Sequence, residues 1–290
     1  MDRFKACPLT ASELSSLLVK KRREGFTHLT LTGGEPTFYP GFATVLGAAK
    51  RLGYRTYVTS NGARLAEEAF AQRVLPLIDE LCLSIHGNDA KTHDACAGRE
   101  GSFAAVSAAL ERAVRHAPRL YLLTNTVVTT LNAGQVRPLL ERLIGQHAVR
   151  HCLLSNLAPE GRGQAGYQAL CLPLKRWRAM IPGLTELAEG SDVTLRFFGL
   201  PLCAFADRGT LSNDLYWSPR LTVERKATAH GVGLAEILGR APTRRRVQPE
   251  VCRSCAVKRL CGGIFDTYVE KFGAGELAPV PRRGRFLAKR

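Results

Sequence analysis

Two groups of residues in this chain have types and spacing suited to chemistry. The first is Gly33-Gly34-Glu35, set inside Leu29-Thr-Leu-Thr-Gly-Gly-Glu-Pro-Thr37. An aliphatic and β-branched run gives way there to two glycines and a carboxylate. Glycine leaves the backbone N–H and C=O groups approachable, and a carboxylate accepts hydrogen bonds from a cation. The triplet therefore suits a ligand that carries an ammonium and a carboxylate; a tight turn with an exposed Glu is the alternative. The second group is Cys252-Arg-Ser-Cys255-Ala-Val-Lys-Arg-Leu-Cys261-Gly-Gly263. A Cys-x2-Cys pair places two thiolates on one centre, and a third, six residues on, closes it from the far side of a turn. Cys203, in Gly199-Leu-Pro-Leu-Cys203, is the best fourth ligand, because it follows a strand and Pro201 stiffens its approach. Spacing leaves both an iron–sulfur cluster and a structural zinc open.

Alternating elements must position these groups. Thr10-Ala-Ser-Glu13 is a capping box that opens an amphipathic helix through residue 24, with Leu14, Leu17 and Leu18 on one face. Strands are expected at 27–32, 54–59, 80–86, 120–129 and 149–157. Helices at 41–52, 65–75, 102–116 and 134–146 fall between them. Short links between alternating strands and helices imply parallel strands, in a barrel or an open α/β sheet. Each strand ends in residues with chemical handles: Gly33-Gly34-Glu35, Ser60-Asn61-Gly62, Ser84-Ile-His86, Asn125 and Pro159-Glu-Gly161. In such folds the C-terminal strand ends build the ligand site. From residue 173 the character changes, with a helix at 174–187, a strand at 193–198, a hairpin around 216–223 and the cysteine-rich end. A soft boundary separates 1–172 from 173–290.

Composition bounds the function classes. With 290 residues and 45% hydrophobic content the chain can bury a large core. Forty-one Lys and Arg against 25 Asp and Glu give a formal charge of +16. That favours acidic partners such as RNA or acidic peptides, although basic runs such as Lys20-Lys-Arg-Arg23 and Arg244-Arg-Arg246 equally solvate a surface. No apolar run approaches the ~18 residues of a membrane span, and no signal-peptide core is present, so a cytoplasmic address is expected. Nine cysteines in a reducing compartment point to ligation rather than disulfides. Cys82 and Cys152, within strands, read as small buried hydrophobes; Cys96 and Cys171 are isolated.

The stretch around Gly33-Gly34-Glu35-Pro36 resembles the methionine-binding motif of the radical S-adenosylmethionine (radical SAM) enzymes, and the C-terminal cysteines resemble the auxiliary-cluster appendage (SPASM, or its shorter twitch form) of their maturases. The resemblance covers residues 5–160 and 199–280. It implies a partial parallel (β/α)6 barrel lacking its first strand. Gly33, Gly34 and Glu35 would hold the amino group of S-adenosylmethionine, Ser84 the ribose, and Asn61 and Asn125 the same rim, where a turn or cap role competes for both. His86 would line that mouth or be structural. Cys203, Cys252, Cys255 and Cys261 would hold one auxiliary [4Fe-4S] cluster. The resemblance further implies a reductant such as flavodoxin or ferredoxin and hydrogen abstraction from a peptide or small-molecule substrate. The family's Cys-x3-Cys-x2-Cys loop does not occur in these residues, where only Cys7 precedes Gly33. The expectation is that Met1 is internal to a longer frame carrying that loop and a first strand, without which no catalytic [4Fe-4S] cluster forms. A non-catalytic binding protein or chaperone and an RNA-modifying enzyme of the same superfamily remain the alternatives.

Overall fold

Six short strands with buried residues at alternate positions align side by side in chain order. In this computed structural model, which describes residues 9–146, 148–228 and 231–281, they are β1 (His28–Leu31), β2 (Arg55–Ser60), β3 (Glu80–Ser84), β4 (Tyr121–Val128), β5 (Val149–Asn156) and β6 (Thr194–Phe198). Every neighbouring pair is parallel and the order is β1-β2-β3-β4-β5-β6. β1 forms one edge, pairing only with β2, so the unpaired edge expected from the sequence is present. Cys7 lies outside the described residues.

Helices cover one face. α1 (Ala11–Arg23) carries the full capping box: Thr10 Oγ1 accepts from the Glu13 N–H at 3.2 Å, and the Glu13 carboxylate accepts from the Thr10 N–H at 2.7 Å. It packs Leu18 against Val45, Ala49 and Tyr54, and the Tyr54 hydroxyl donates to Leu18 O at 2.8 Å. α2 (Phe42–Arg51), α3 (Glu68–Val74), α5 (Ser102–His116), α6 (Val136–Gly145) and α8 (Leu174–Ala188) lay Leu46, Phe70, Val106, Leu110, Leu139 and Trp177 into one core with Val58, Leu81, Leu122, Leu154 and Leu195 of the sheet. Burial of that apolar surface is the main force holding the layer. Two further helices, α4 (Ala90–Ala97) and α7 (Arg162–Leu170), are short elements that apolar periodicity did not reveal. α4 rests on a polar cap, in which Asp89 Oδ1 accepts from the Thr92 N–H at 2.7 Å.

Two features differ from expectation. The strand assigned to the appended region, β6, pairs with β5 through His151↔Thr194 to Ser155↔Phe198, so a boundary at 172/173 cuts the last crossover of the sheet. The hairpin expected around 216–223 lies further on, with β7 (Arg220–Thr228) antiparallel to β8 (Gly231–Gly239). Trp217 and Pro219 precede it, and the Trp217 Nε1–H donates to Gly239 O at 3.3 Å to close its base. Beyond it, β9 (Arg246–Val247) and β10 (Ile264–Phe265) form a short ribbon leading into α9 (Asp266–Phe272). No helix among the described residues is long and apolar enough to cross a membrane.

Candidate functional site

The β1 loop is shaped by two glycines. Gly33 and Gly34 take φ +91° and +58°, the left-handed region that glycine enters freely, and a Cβ at either would meet nothing within 4 Å. Packing therefore does not require a missing side chain here; what the pair supplies is exposed, approachable backbone. Glu35 behaves differently. Its Oε1 accepts from the Thr37 hydroxyl at 2.6 Å, the Thr37 N–H at 3.2 Å and the Ser60 hydroxyl at 2.8 Å, while Oε2 accepts from the Asn61 N–H at 2.6 Å. The carboxylate thus ties the β1 loop to the end of β2. Asn61 adopts a turn role, its Oδ1 accepting from the Ala63 N–H at 2.9 Å.

Ser84 and Asn125 are direct partners in the register of β3 and β4. Both lie half-buried, and Asn125 Oδ1 accepts from the Ser155 hydroxyl at 2.7 Å. On β4 the alternate residues Leu122, Thr124, Thr126 and Val128 are buried against the helix layer, which leaves Asn125 on the inner face. Gly33, Gly34, Asn61, Ser84 and Asn125 thus all stand at the C-terminal ends of four adjacent parallel strands. His86 is structural: its Nδ1 accepts from the Val127 N–H at 3.3 Å, its ring stacks on His93 at 5.7 Å, and burial followed by the charge of His93 pulls its pKa down to about 4.

The C-terminal cysteines come together. Cys203, Cys252, Cys255 and Cys261 line one open cavity of about 390 Å³, walled by Pro201, Val247, Val257, Ile264, Leu277 and Pro279. Among the described residues no group of three or more His, Cys, Asp or Glu converges as ligands of a single ion do, so the thiols surround a volume rather than a point. Backbone donors face the sulfurs: Leu202 N–H and Gly263 N–H to Cys261 Sγ at 3.3 and 3.4 Å, and Val280 N–H to Cys255 Sγ at 3.4 Å. Burial, then the neighbouring thiols, raises the pKa of Cys252; burial raises that of Cys261. Four thiols in an apolar pocket with N–H···S donors fit an iron–sulfur cluster, whose sulfurs and ligands need such bonds. Cys82 and Cys152 are buried and pushed up to about 11 by desolvation, as small hydrophobes should be.

Three ties bind this module to the barrel. The Tyr268 hydroxyl donates to Glu276 Oε2 at 2.5 Å and accepts from the Leu174 N–H at 2.8 Å, fixing the start of α8. Arg178 of α8 donates to Glu276 O at 2.6 Å and reaches Cys203. Arg246 and Asp214 form an ion pair whose side chains are 1% and 4% exposed, with the guanidinium against Phe198 and Phe265. Sequence reasoning passed over Asp214 and Arg246, and also Arg196 and His151 on the inner sheet face. The one available signal was polar residues at alternate positions inside the strands Val149–Asn156 and Thr194–Phe198.

The fold and mouth define a class: a parallel α/β partial barrel with its ligand site at the C-terminal strand ends. Residues 8–143 match the family model of the Radical SAM superfamily, and a domain of that superfamily therefore occupies this part of the chain. The AdoMet-dependent heme synthase of Methanosarcina barkeri (strain Fusaro / DSM 804) is 28% identical over 155 residues, 53% of this chain and 44% of the relative. Among solved structures, Streptococcus suis SuiB bound to the precursor peptide SuiA is similar with a TM-score of 0.52 and 18% identity, covering 64% of this chain and 42% of SuiB. SuiB bound to S-adenosylmethionine gives 0.52 and 19%, over 65% and 43%. The likeness to SuiB is one of fold. The chain spans less than half the length of these relatives.

Proposed function

We propose that the chain is a radical SAM-type protein that binds S-adenosylmethionine at the mouth of its barrel and an auxiliary [4Fe-4S] cluster at Cys203, Cys252, Cys255 and Cys261. The observation that carries this reading is the meeting of Gly33, Gly34, Ser84 and Asn125 at the C-terminal ends of adjacent parallel strands within the superfamily domain. In it, the open backbone at Gly33 and Gly34 binds the amino acid moiety, with Ser84 and Asn125 at the ribose and the rim. Glu35 acts through Ser60, Asn61 and Thr37, holding the glycine loop against β2. The four thiolates hold the auxiliary cluster, which supplies one-electron chemistry or a substrate ligand when bound. Cys255 and Cys261 receive backbone N–H donors that stabilise thiolate charge, and the apolar walls keep water away.

For the superfamily's other cluster the residues do not fit. The cysteines ahead of Gly33 number one, Cys7, and the remaining thiols lie in strands, helices or the C-terminal module. No step of reductive cleavage is derived from these residues. The substrate, a peptide or a small molecule, would meet the inner face of the sheet, with a flavodoxin- or ferredoxin-type protein as reductant. Anaerobic equilibrium dialysis with S-adenosylmethionine tests the cofactor reading. Saturable binding that is lost in Gly33→Ala and weakened in Ser84→Ala supports it, and binding indifferent to both overturns it.

A further inference from the structure

The inner face of the sheet carries two guanidinium groups with no acid beside them. Arg196 stands in β6 between buried Leu195 and Phe197, so its side chain leaves the strand on the opposite, inner face. The register places it in a row: Ser84 faces Asn125, Asn125 faces Leu153, and Leu153 faces Arg196. Arg196 is thus level with both strand residues read above as cofactor contacts. Its guanidinium carbon lies 4.4 Å from the ring centroid of Tyr216, and that of Arg220 lies 3.8 Å from the ring of Trp217. The rings belong to consecutive residues, where the chain passes from β6 into the hairpin. Neither arginine has a carboxylate partner among the described residues, whereas nearby Arg246 has Asp214. His151, on the same inner face one step below, adds a buried Nε2 with no partner. Burial, with the charge of Arg196, holds that ring neutral, its pKa near 4.

Stacking on an aromatic ring leaves the edge of a guanidinium free, and that edge matches the two oxygens of a carboxylate. Two cations held on a partly enclosed surface repel each other and lose hydration, a cost that a bound anion offsets. We propose that Arg196 and Arg220 form a carboxylate-binding subsite and that the substrate of this barrel carries at least one carboxylate. The proposal rests on the reading of the barrel mouth as a substrate site beside S-adenosylmethionine, and it narrows the substrate class. A free polycarboxylate and the acidic side chains of a peptide present the same group.

Trp217 reports on the subsite by fluorescence, since it stacks on Arg220 while the second tryptophan, Trp177, is fully buried. The full chain would be titrated at low salt with tricarballylate, with a short acetylated peptide alternating glycine and glutamate, and with its glutamine counterpart. One carboxylate probe should bind and the glutamine peptide should not; the tighter of the two names the source. Arg196→Gln and Arg220→Gln should each weaken binding about tenfold or more, the worth of a charge-assisted hydrogen bond. A control pair at the opposite end of the sheet, Arg51→Gln with Arg119→Gln, should leave it unchanged. Absence of binding by both carboxylate probes up to about 10 mM, the weak limit of such a contact, would overturn the proposal, as would equal loss in the control pair. So would loss of S-adenosylmethionine binding in Arg196→Gln with the probes retained, which would give Arg196 to the cofactor. Probe binding in a wild-type chain that ignores S-adenosylmethionine would sink the cofactor reading and leave the subsite standing.

Discussion

Both oxygens of Glu35 are engaged inside the protein, which makes this carboxylate a brace for the glycine loop rather than a free ligand group. Glu35→Ala leaves the Ser60 hydroxyl and the Asn61 N–H without their acceptor, so urea unfolding should show a loss of about 1–3 kcal/mol. Gly33→Ala should act oppositely: a Cβ meets open space, the positive φ costs only about 1–2 kcal/mol, and cofactor affinity falls far more than stability. Histidine burial sets the pH response. The folded-state pKa of His86 lies near 4 against an ordinary 6.5, so the folded form binds fewer protons than the unfolded one between those values. Stability is full above about 6.5 and declines as pH falls towards 4, by up to about 3 kcal/mol from this residue. Thermal melts from pH 7 to 4.5 should show the decline, and His86→Asn, whose amide oxygen can still accept from Val127, should flatten it. The sequence made Gly33, Gly34 and Ser84 visible through their places at strand ends. It could not show that Glu35 points back at β2, because that depends on a contact across 25 positions.

At the scale of elements, the C-terminal module is held by contacts distant in sequence. Asp214 and Arg246 lie 32 positions apart and share a buried ion pair, and Gly262 sits so close that a Cβ there would fall 2.9 Å from Arg246 Nη1. Asp214→Ala leaves a buried, unpaired guanidinium and should cost about 3–5 kcal/mol, whereas the double change Asp214→Leu with Arg246→Met should cost much less. Denaturant midpoints of the single and double variants check this. The strands were legible because aliphatic and β-branched runs alternate with helices, and α1 because its capping box is local. α4 was not, since it is amphipathic over barely two turns and stands on Asp89 and on contacts of His93. β6 was legible as a strand but not as part of the parallel sheet. Its pairing with β5 is decided by packing of Leu195 and Phe197 under α8, where Phe197 meets Trp177 edge-on at 6.2 Å.

Across the whole molecule, the cofactor candidates sit at one end of a parallel sheet and the cysteine cavity in a module that α8 and the Asp214–Arg246 pair fasten to it. With only Cys7 ahead of Gly33, this 290-residue chain should release no 5′-deoxyadenosine from S-adenosylmethionine under anaerobic reduction, compared with a no-protein control. The cysteine cavity was readable from Cys-x2-Cys-x5-Cys spacing together with Cys203; its apolar walls, supplied by Val247, Ile264 and Leu277, were not, because they come from three separated segments. The account stands most directly on what those four thiols hold. Protein purified without oxygen should carry iron and acid-labile sulfide in equal amounts, and Cys255→Ala should lose both and expose the 246–281 segment to proteolysis. Stoichiometric zinc without sulfide in the wild-type chain would contradict it.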